Sequence, residues 1–191
     1  MDIKVNNICK SFNGQQVLDN ISMSFSEGEV TCIMGASGVG KTTLAYILMG
    51  LLEPDSGTIT GLKDKKMAAV FQEDRLIEHW DAIKNIMLVS NKDMTIEKVQ
   101  RHLSEIGLRE YEGKPVKDLS GGMRRRVAIV RALLSNYDVL IMDEPFKGLD
   151  EELKKKVITY VKEYTRGYTR IIITHDREEV EMLEAKLITL I

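Results

Sequence analysis

The sequence predicts an α/β fold built around a mostly parallel sheet. Three observations indicate this class: short apolar segments alternate with segments of helical period, a glycine-rich phosphate-binding pattern lies between a strand and a helix, and two carboxylates follow an apolar strand. In such sheets ligands bind at the carboxyl ends of the strands. We therefore expect the functional side chains to gather at one edge of the sheet.

The first 72 residues are predicted to be rich in strands. Short apolar runs between residues 3 and 30 are separated by turn signals at 13–14 and 27–29, which favours strands with tight connections and an antiparallel portion at the N-terminus. A buried strand over 30–34 precedes a helix over 43–52. After a turn over 53–57, two further strands are predicted over 58–60 and 67–71.

From residue 73 onwards the pattern becomes helical. Apolar residues recur at helical spacing between a capping threonine and a terminating glycine: Thr95, Ile96, Val99, Leu103, Ile106 and Gly107. A second helix is predicted from about Gly122 to Leu134. The sequence thus predicts one domain, with a core lobe over 1–72 and 135–191 and a helical lobe over 73–134.

Strands and helices alternate again in the last third of the chain. Buried strands are predicted over 137–142 and 170–174, and a final strand over 187–191. A helix over 151–164 has its apolar residues on one face. Asp176 can cap the next helix, with Glu179 at the capping-box position.

Composition excludes several classes of protein. The chain has 191 residues and a formal net charge of -2, so a basic surface for nucleic acid is not expected. The longest apolar stretch, 44–52, is far shorter than the roughly 20 residues that span a bilayer. The start of the chain lacks a signal-peptide pattern, which predicts a cytoplasmic protein. Cys9 and Cys32 are isolated and lack metal-ligand spacing.

The segment 35–42 fits the phosphate-loop pattern G-x-x-x-x-G-K-[S/T]: Gly35, Ala36, Ser37, Gly38, Val39, Gly40, Lys41 and Thr42. Glycines allow backbone N–H groups to turn towards an anion, and the following helix directs its positive end there. Lys41 would reach the β- and γ-phosphates, and the Thr42 hydroxyl would bind Mg²⁺. The alternative is a glycine-rich turn that matches by chance, which we expect in about 1% of chains of this length.

Asp143 and Glu144 end the apolar run 139–142. One carboxylate can hold Mg²⁺ through water, and the other can orient or deprotonate the water that attacks a γ-phosphate. For an isolated Asp-Glu pair we would favour a simple acidic loop before Pro145. The phosphate loop reverses that preference.

The segment Leu119-Ser120-Gly121-Gly122-Met123 is a third candidate site. Ser120 could be an ordinary helix N-cap, but glycines inside a helix destabilise it by roughly 1 kcal/mol each relative to alanine, which argues for a further role. Three arginines follow at 124–126, near the positive end of the helix, where acidic residues are usually preferred. Bare amides and positive charge together predict a second anion site.

Taken together, these motifs resemble those of ABC-type ATPases, the nucleotide-binding subunits of ATP-binding-cassette transporters. They occur in that family's order across essentially the whole chain. The resemblance implies a P-loop NTPase (RecA-like) core with an N-terminal antiparallel β portion and an inserted α-helical lobe. It also implies that 35–42, with Thr43 beside it, is the Walker A loop, that 139–144 is the Walker B strand, and that 119–123 is the LSGGQ signature with Met123 in place of glutamine.

The resemblance also assigns roles to weaker matches. Gln72 matches the Q-loop residue, Asp150 the D-loop, and His175 the switch histidine, while Phe12 stands where the family stacks a ring on adenine. Each has an alternative: Asp150 could merely cap a helix, Phe12 could belong to the core, and His175 could be structural. By the resemblance, Glu144, His175, Gln72 and Lys41 are catalytic, and Thr42, Gln72 and Asp143 hold Mg²⁺, partly through water.

ATP and Mg²⁺ are therefore the expected cofactors. The family arrangement implies a head-to-tail dimer, either a homodimer or a pair with another ABC ATPase subunit, in which Ser120, Gly121 and Gly122 serve the partner's nucleotide. It also implies a transmembrane permease on the inner face of the cell membrane, together with a solute-binding protein if the system imports. The residues around the motifs are similar to those of importer subunits for nitrate, sulfonate and taurine.

Other functions stay open at this stage. A regulatory ABC ATPase of a membrane complex, of the cell-division or efflux-associated type, would carry the same motifs. A GTPase or small-molecule kinase would share the phosphate loop but lacks the signature segment. Trp80 could line the groove for a permease helix or simply pack within the helical lobe.

Overall fold

The computed structural model describes residues 1–109 and 111–191. The strands are β1 Ile3–Phe12, β2 Gln15–Phe25, β3 Val30–Met34, β4 Ser56–Thr60, β5 Met67–Val70, β6 Val139–Asp143, β7 Thr169–Ile173 and β8 Lys186–Thr189. The helices are α1 Lys41–Leu48, α2 Ala82–Met87, α3 Ile96–Glu105, α4 Gly121–Leu133, α5 Glu151–Tyr164 and α6 Arg177–Met182, with a 3-10 turn over Val116–Asp118.

The strands form two sheets. Five strands pair in the order β5-β6-β7-β3-β8, and every pairing is parallel. Three strands pair in the order β2-β1-β4, and both pairings are antiparallel. The prediction of an α/β fold with a mostly parallel sheet and an N-terminal antiparallel portion is therefore confirmed.

The parallel sheet separates two apolar layers. Along β6, Val139 and Ile141 face a core that contains α1 and the antiparallel sheet, whereas Leu140 and Met142 face a core formed by α2 to α6. Successive side chains of a strand point to opposite faces, so a strand covered on both sides must be apolar throughout. All five residues of β6 and all five of β7 are accordingly buried.

Helices α2, α3 and α4 all lie between β5 and β6 in the chain, so they form one insertion between neighbouring strands of the sheet. Four helices begin where an oxygen-bearing side chain accepts a hydrogen bond from the third residue on: Asp81, Thr95, Ser120 and Asp150. These caps fix the N-termini of helices whose own propensity is modest. Across residues 1–109 and 111–191, no helix combines the length and the apolar character that crossing a membrane requires.

Several predicted boundaries differ from the structure. Helix α1 covers 41–48 rather than 43–52, because Gly50 adopts a left-handed conformation (φ 67°) and ends it. Asp176 caps α6 as predicted, since its side chain accepts from the Glu178 N–H at 2.9 Å. The capping-box role of Glu179 is wrong: the Asp176 N–H donates to the Thr174 hydroxyl at 3.1 Å, and that hydroxyl donates to the buried Glu179 carboxylate at 2.5 Å. Glu179 is therefore tied to the end of β7.

Candidate functional site

A cleft of about 520 Å³ opens at the carboxyl edge of the parallel sheet. Its lining brings together residues predicted from separate motifs: Gly35, Ser37, Gly38, Gly40, Lys41, Thr42, Thr43, Gln72, Asp143, Glu144 and His175. A larger cleft of about 770 Å³ lies near Glu29, Arg166 and Lys186, and its described lining includes none of the predicted residues. We place the functional site in the smaller cleft because the chemistry converges there.

Two glycines of the loop between β3 and α1, Gly35 and Gly40, stand where a Cβ atom would clash with neighbouring residues. A Cβ on Gly35 would come within 2.4 Å of the Leu190 carbonyl oxygen. Gly40 has φ 98°, and its Cβ would lie 2.6 Å from Leu18 Cδ2. The loop therefore forms a cradle that larger residues would distort, which is the property expected of a phosphate-binding loop.

Lys41, the first residue of α1, lies folded across this cradle. Its Nζ donates to the carbonyl oxygens of Gly35 at 2.9 Å and Ala36 at 2.8 Å. The ammonium group is thus held over the loop, at the positive end of α1. A phosphate in the cradle would meet both the loop amides and this cation.

Thr42 and Asp143 meet at the base of the cleft. The Thr42 hydroxyl donates to Asp143 Oδ2 at 2.6 Å. Asp143 is only 3% exposed, and burial raises the pKa of its carboxyl group above the ordinary value, although the hydrogen bond from Thr42 acts in the opposite direction. A hydroxyl and a carboxylate side by side are the oxygen donors that Mg²⁺ prefers, so these residues fit that ion.

Glu144 is positioned by an unusual backbone and two side chains. Its φ of 46° lies in the left-handed region, and its N–H donates to the Ile173 carbonyl at 2.9 Å. Oε2 accepts a hydrogen bond from Lys147 Nζ at 2.7 Å, and Oε1 lies 3.5 Å from His175 Nδ1. Partial burial alone would raise the pKa of Glu144, but Lys147 and His175 together lower it below its ordinary value.

Gln72 and His175 complete the cleft from two neighbouring elements. Gln72 follows β5, and its backbone carbonyl accepts a hydrogen bond from Arg125 of α4. His175 follows β7, and its side chain is 65% exposed. Both therefore stand at carboxyl ends of parallel strands, where the sequence placed them.

Other predicted residues lie outside the lining of this cleft. Phe12 is 44% exposed at the end of β1, with Lys10 Nζ 5.6 Å from its ring centroid, so it is not a core residue. Ser120 caps α4 through the Met123 N–H at 3.3 Å, and Asp150 caps α5 through the Leu153 N–H at 2.9 Å. Gly121 and Gly122 open α4, while Ala36 and Val39 belong to the loop.

The prediction that Arg124, Arg125 and Arg126 gather positive charge at an anion site is wrong, because their side chains are directed elsewhere. Arg125 and Arg126 are buried and donate to backbone carbonyls, Arg125 to Phe71 at 2.5 Å and Arg126 to Gly107 at 2.7 Å. Arg124 donates to the Leu119 carbonyl at 2.8 Å. These guanidinium groups satisfy carbonyl oxygens inside the chain, so any anion at this helix start would meet mainly backbone amides and Ser120.

Two cleft residues were not predicted from the sequence. Val17, on β2, lines the cleft beside the loop, and Lys147 lines it beside Glu144. Lys147 stands three residues after Glu144, a spacing that places both side chains on one face of a tight turn. That spacing is the sequence feature from which Lys147 could have been predicted. Nothing local marks Val17, because its place depends on how the antiparallel sheet packs on α1.

The fold and the cleft define a class of protein: an α/β protein with a phosphate loop between an inner strand of the parallel sheet and the helix that follows it. Comparison with known proteins narrows the class. The family model described as "ABC transporter" matches residues 18–147. The chain belongs to the ABC transporter ATP-binding family.

Relatives and solved structures agree with this assignment. The spermidine/putrescine import ATP-binding protein PotA of Spiroplasma citri is 36% identical over 98% of the chain, and the chain spans 58% of that protein's length. The arginine transport ATP-binding protein ArtM of Bacillus subtilis is 37% identical over 91% of the chain and 81% of its own length. A dimeric bacterial ABC transporter cassette superposes with a TM-score of 0.86 at 27% identity, covering 98% of this chain and 94% of the other.

Proposed function

We propose that this chain binds ATP and hydrolyses it as the ATP-binding subunit of an ABC transporter. The observation that carries the proposal is the convergence of the phosphate loop, Thr42, Asp143, Glu144 and His175 on one cleft. The related cassette described as a post-hydrolysis state bound to ADP and phosphate supports it, at 26% identity and a TM-score of 0.85. ATP and Mg²⁺ are the proposed ligands.

The residues of the cleft divide the chemistry between them. The loop amides and Lys41 bind the phosphates, and Glu144 accepts a proton from the attacking water or orients it. His175 Nδ1 lies 3.5 Å from Glu144 Oε1, and from there the ring would contact the terminal phosphate. Thr42 and Asp143 would hold Mg²⁺, with Gln72 beside them, and the ion supplies neutralisation of phosphate charge when bound.

The site is proposed to be shared between two copies or between two similar subunits. Ser120, Gly121 and Gly122 expose backbone amides at the start of α4, outside the cleft of their own subunit. A phosphate bound in a partner's loop can satisfy those amides. Gly122 lies against the segment that ends at Asp150, since its Cβ would come within 3.5 Å of Leu149 Cδ2. The D-loop and the signature would therefore contact the partner together.

Transport is the proposed use of this ATPase cycle. PotA and ArtM are named as import or transport ATP-binding proteins, which supports import over a purely regulatory role. A permease would bind the exposed surface near Trp80, which is 38% exposed, and hold the chain at the cytoplasmic face of the membrane. The presence of a solute-binding protein, and nitrate, sulfonate or taurine as the substrate, remain predictions from the residues around the motifs.

The chain is proposed to divide into a core lobe (1–72 and 135–191) and a helical lobe (73–134) that have different roles in the cycle of ATP binding and hydrolysis. The helical lobe carries the signature segment, and the core lobe carries the phosphate loop. Closure of two subunits over ATP would thus join the core lobe of one to the helical lobe of the other. Hydrolysis would release them.

The decisive experiment is the Glu144→Gln variant. It keeps the shape of the side chain but removes the base, so ATP should still bind while turnover falls by about 10²-fold or more. With ATP the variant should accumulate as a dimer in size-exclusion chromatography. Glu152→Gln, on the exposed start of α5, is the matched control and should hydrolyse ATP normally. Normal turnover by Glu144→Gln would refute the assignment.

A further inference from the structure

Lys147 is a second lysine in the cleft, and none of the motifs accounts for it. It follows Glu144 in a turn in which the Lys147 N–H donates to the Glu144 carbonyl at 3.2 Å. Its Nζ contacts Glu144 Oε2 at 2.7 Å. The Lys147 side chain is 53% exposed and the Glu144 side chain 18%, so the cation covers the carboxylate from the solvent side.

The contact between Lys147 and Glu144 affects how the charges of the cleft act on an anionic nucleotide. Asp143 and Glu144 both face the space in front of the phosphate loop, and Lys41 is the cation that lies over the loop itself. A nucleoside triphosphate entering the cleft brings three to four negative charges. Without Lys147, the partly buried Glu144 carboxylate would oppose them, and in such a site repulsion is only weakly screened.

The repulsion between the Glu144 carboxylate and the nucleotide should depend on the number of phosphate groups that the nucleotide carries. Glu144 directly follows the last residue of β6, the strand next to β7. In the proposed function it faces the terminal phosphate, so its repulsion falls mainly on the group that ATP has and ADP lacks. The other neighbour of the carboxylate, His175, is 3.5 Å away and 65% exposed. Lys147 makes the closer contact.

We propose that Lys147 is a positioning residue that neutralises Glu144 and thereby allows the cleft to prefer nucleoside triphosphate over diphosphate. It acts through Glu144 rather than on the nucleotide. The inference rests on the proposed function and adds to it a determinant of ATP over ADP selectivity.

The test is nucleotide binding by Lys147→Met, measured by isothermal titration with ATP and with ADP. EDTA is present throughout so that no metal-dependent turnover occurs. The variant keeps the aliphatic bulk and loses the charge. We expect the dissociation constant for ATP to rise by about fivefold or more and that for ADP to change by less than about twofold. Lys147→Arg should retain the preference for ATP, because it retains the charge.

A double variant identifies the group through which Lys147 acts. If the lysine screens Glu144, the effect of Lys147→Met on ATP binding should vanish in a Glu144→Gln background, where there is no carboxylate to screen. An undiminished effect in that background would mean that Lys147 contacts the phosphate directly, and would overturn the proposal. Equal losses for ATP and ADP, or no loss, would overturn it as well.

Controls separate this inference from the proposed function. Lys155→Met, on the exposed face of α5, should leave both dissociation constants unchanged, and thermal melting should show that each variant is folded. Wild-type protein that bound neither nucleotide would refute the proposed function itself. Wild-type binding with an unaltered ATP to ADP ratio in Lys147→Met would refute only the role of Lys147.

Discussion

The Thr42 hydroxyl donates a 2.6 Å hydrogen bond to Asp143 Oδ2 and so joins the first turn of α1 to the last residue of β6. The two residues are 101 positions apart in the chain, yet they meet because β3 and β6 both end at the same edge of the sheet. The contact places a hydroxyl and a carboxylate where Mg²⁺ would lie beside a phosphate in the loop.

Thr42→Val should separate nucleotide binding from the effect of Mg²⁺. Valine has nearly the volume of threonine but lacks the hydroxyl, so the loop should keep its shape while one metal ligand is lost. ATP affinity in EDTA should change by less than about threefold, and Mg²⁺-dependent turnover should fall by about 10²-fold. Titration calorimetry with and without Mg²⁺, together with a phosphate-release assay, measures both quantities.

The matched control is Thr159→Val on α5, where the lost hydroxyl donates only to the Lys155 carbonyl at 2.9 Å. It should retain full turnover. If Thr42→Val hydrolysed ATP at the wild-type rate, Thr42 would not be a metal ligand.

Arg125 braces the segment that carries Gln72. It donates to the Phe71 carbonyl at 2.5 Å and to the Gln72 carbonyl, and it lies 3.3 Å from Asp74 Oδ1. Arg125→Met would leave the two carbonyl groups without their donor, and it would leave the largely buried Asp74 carboxylate with only the more distant Arg124, whose Nε lies 3.9 Å from Oδ2. We expect the free energy of unfolding in urea to fall by about 3 kcal/mol.

The pair Arg125→Met and Asp74→Asn tests the cause of that loss. Because Asp74→Asn removes the carboxylate charge that has lost its nearest cation, the double variant should be more stable than the sum of the single effects predicts. Strict additivity would show that the ion pair contributes nothing and that the loss comes from the carbonyl contacts alone.

Features set by local pattern could be predicted from the sequence, and features set by tertiary pairing could not. The phosphate loop, the caps at Thr95 and Ser120, and the apolar strand that ends at Asp143 all follow from neighbouring residues, and the structure has them in those places. The direction of Arg125 was missed because it depends on which carbonyls of the segment after β5 lie beside α4. The contact between Thr174 and Glu179 was missed for the same reason.

Gly121→Ala, in the signature segment, should raise the stability of the chain while lowering its turnover of ATP. Gly121 is the first residue of α4, and a Cβ there would meet no atom of the described residues within 4 Å. Alanine should therefore stabilise the chain by up to about 1 kcal/mol in urea unfolding. ATP binding to the monomer should be unchanged, but turnover should fall by about tenfold or more, because the new methyl group would lie between the α4 amides and the partner's phosphate.

Ser120→Ala provides the contrast. It removes the cap that accepts from the Met123 N–H at 3.3 Å, so it should destabilise the chain by about 1 kcal/mol while also impairing turnover. A Gly121→Ala variant that is both more stable and fully active would argue against a shared site. Loss of ATP binding by the monomer in either variant would do so as well.

Finally, His102 makes the stability of the chain sensitive to acid. It is 6% exposed on α3, with Nδ1 3.0 Å from the Tyr160 hydroxyl and its ring centroid 4.7 Å from that of Tyr164 on α5. Burial lowers the pKa of His102, and nearby Arg101 acts in the same direction, while Glu105, which accepts a hydrogen bond from Tyr164, opposes both.

Since the pKa in the folded chain lies below that of the unfolded chain, the unfolded state takes up the proton more readily. The stability contributed by neutral His102 is therefore fully present above the unfolded pKa of about 6.5 and is lost as the pH falls through the lower folded value. His102→Gln cannot be protonated, so its free energy of unfolding should decline less steeply between pH 8 and pH 5 than that of the wild type. The exposed His79→Gln is the control and should follow the wild-type curve, and parallel curves for the wild type and His102→Gln would show that His102 is not the group responsible.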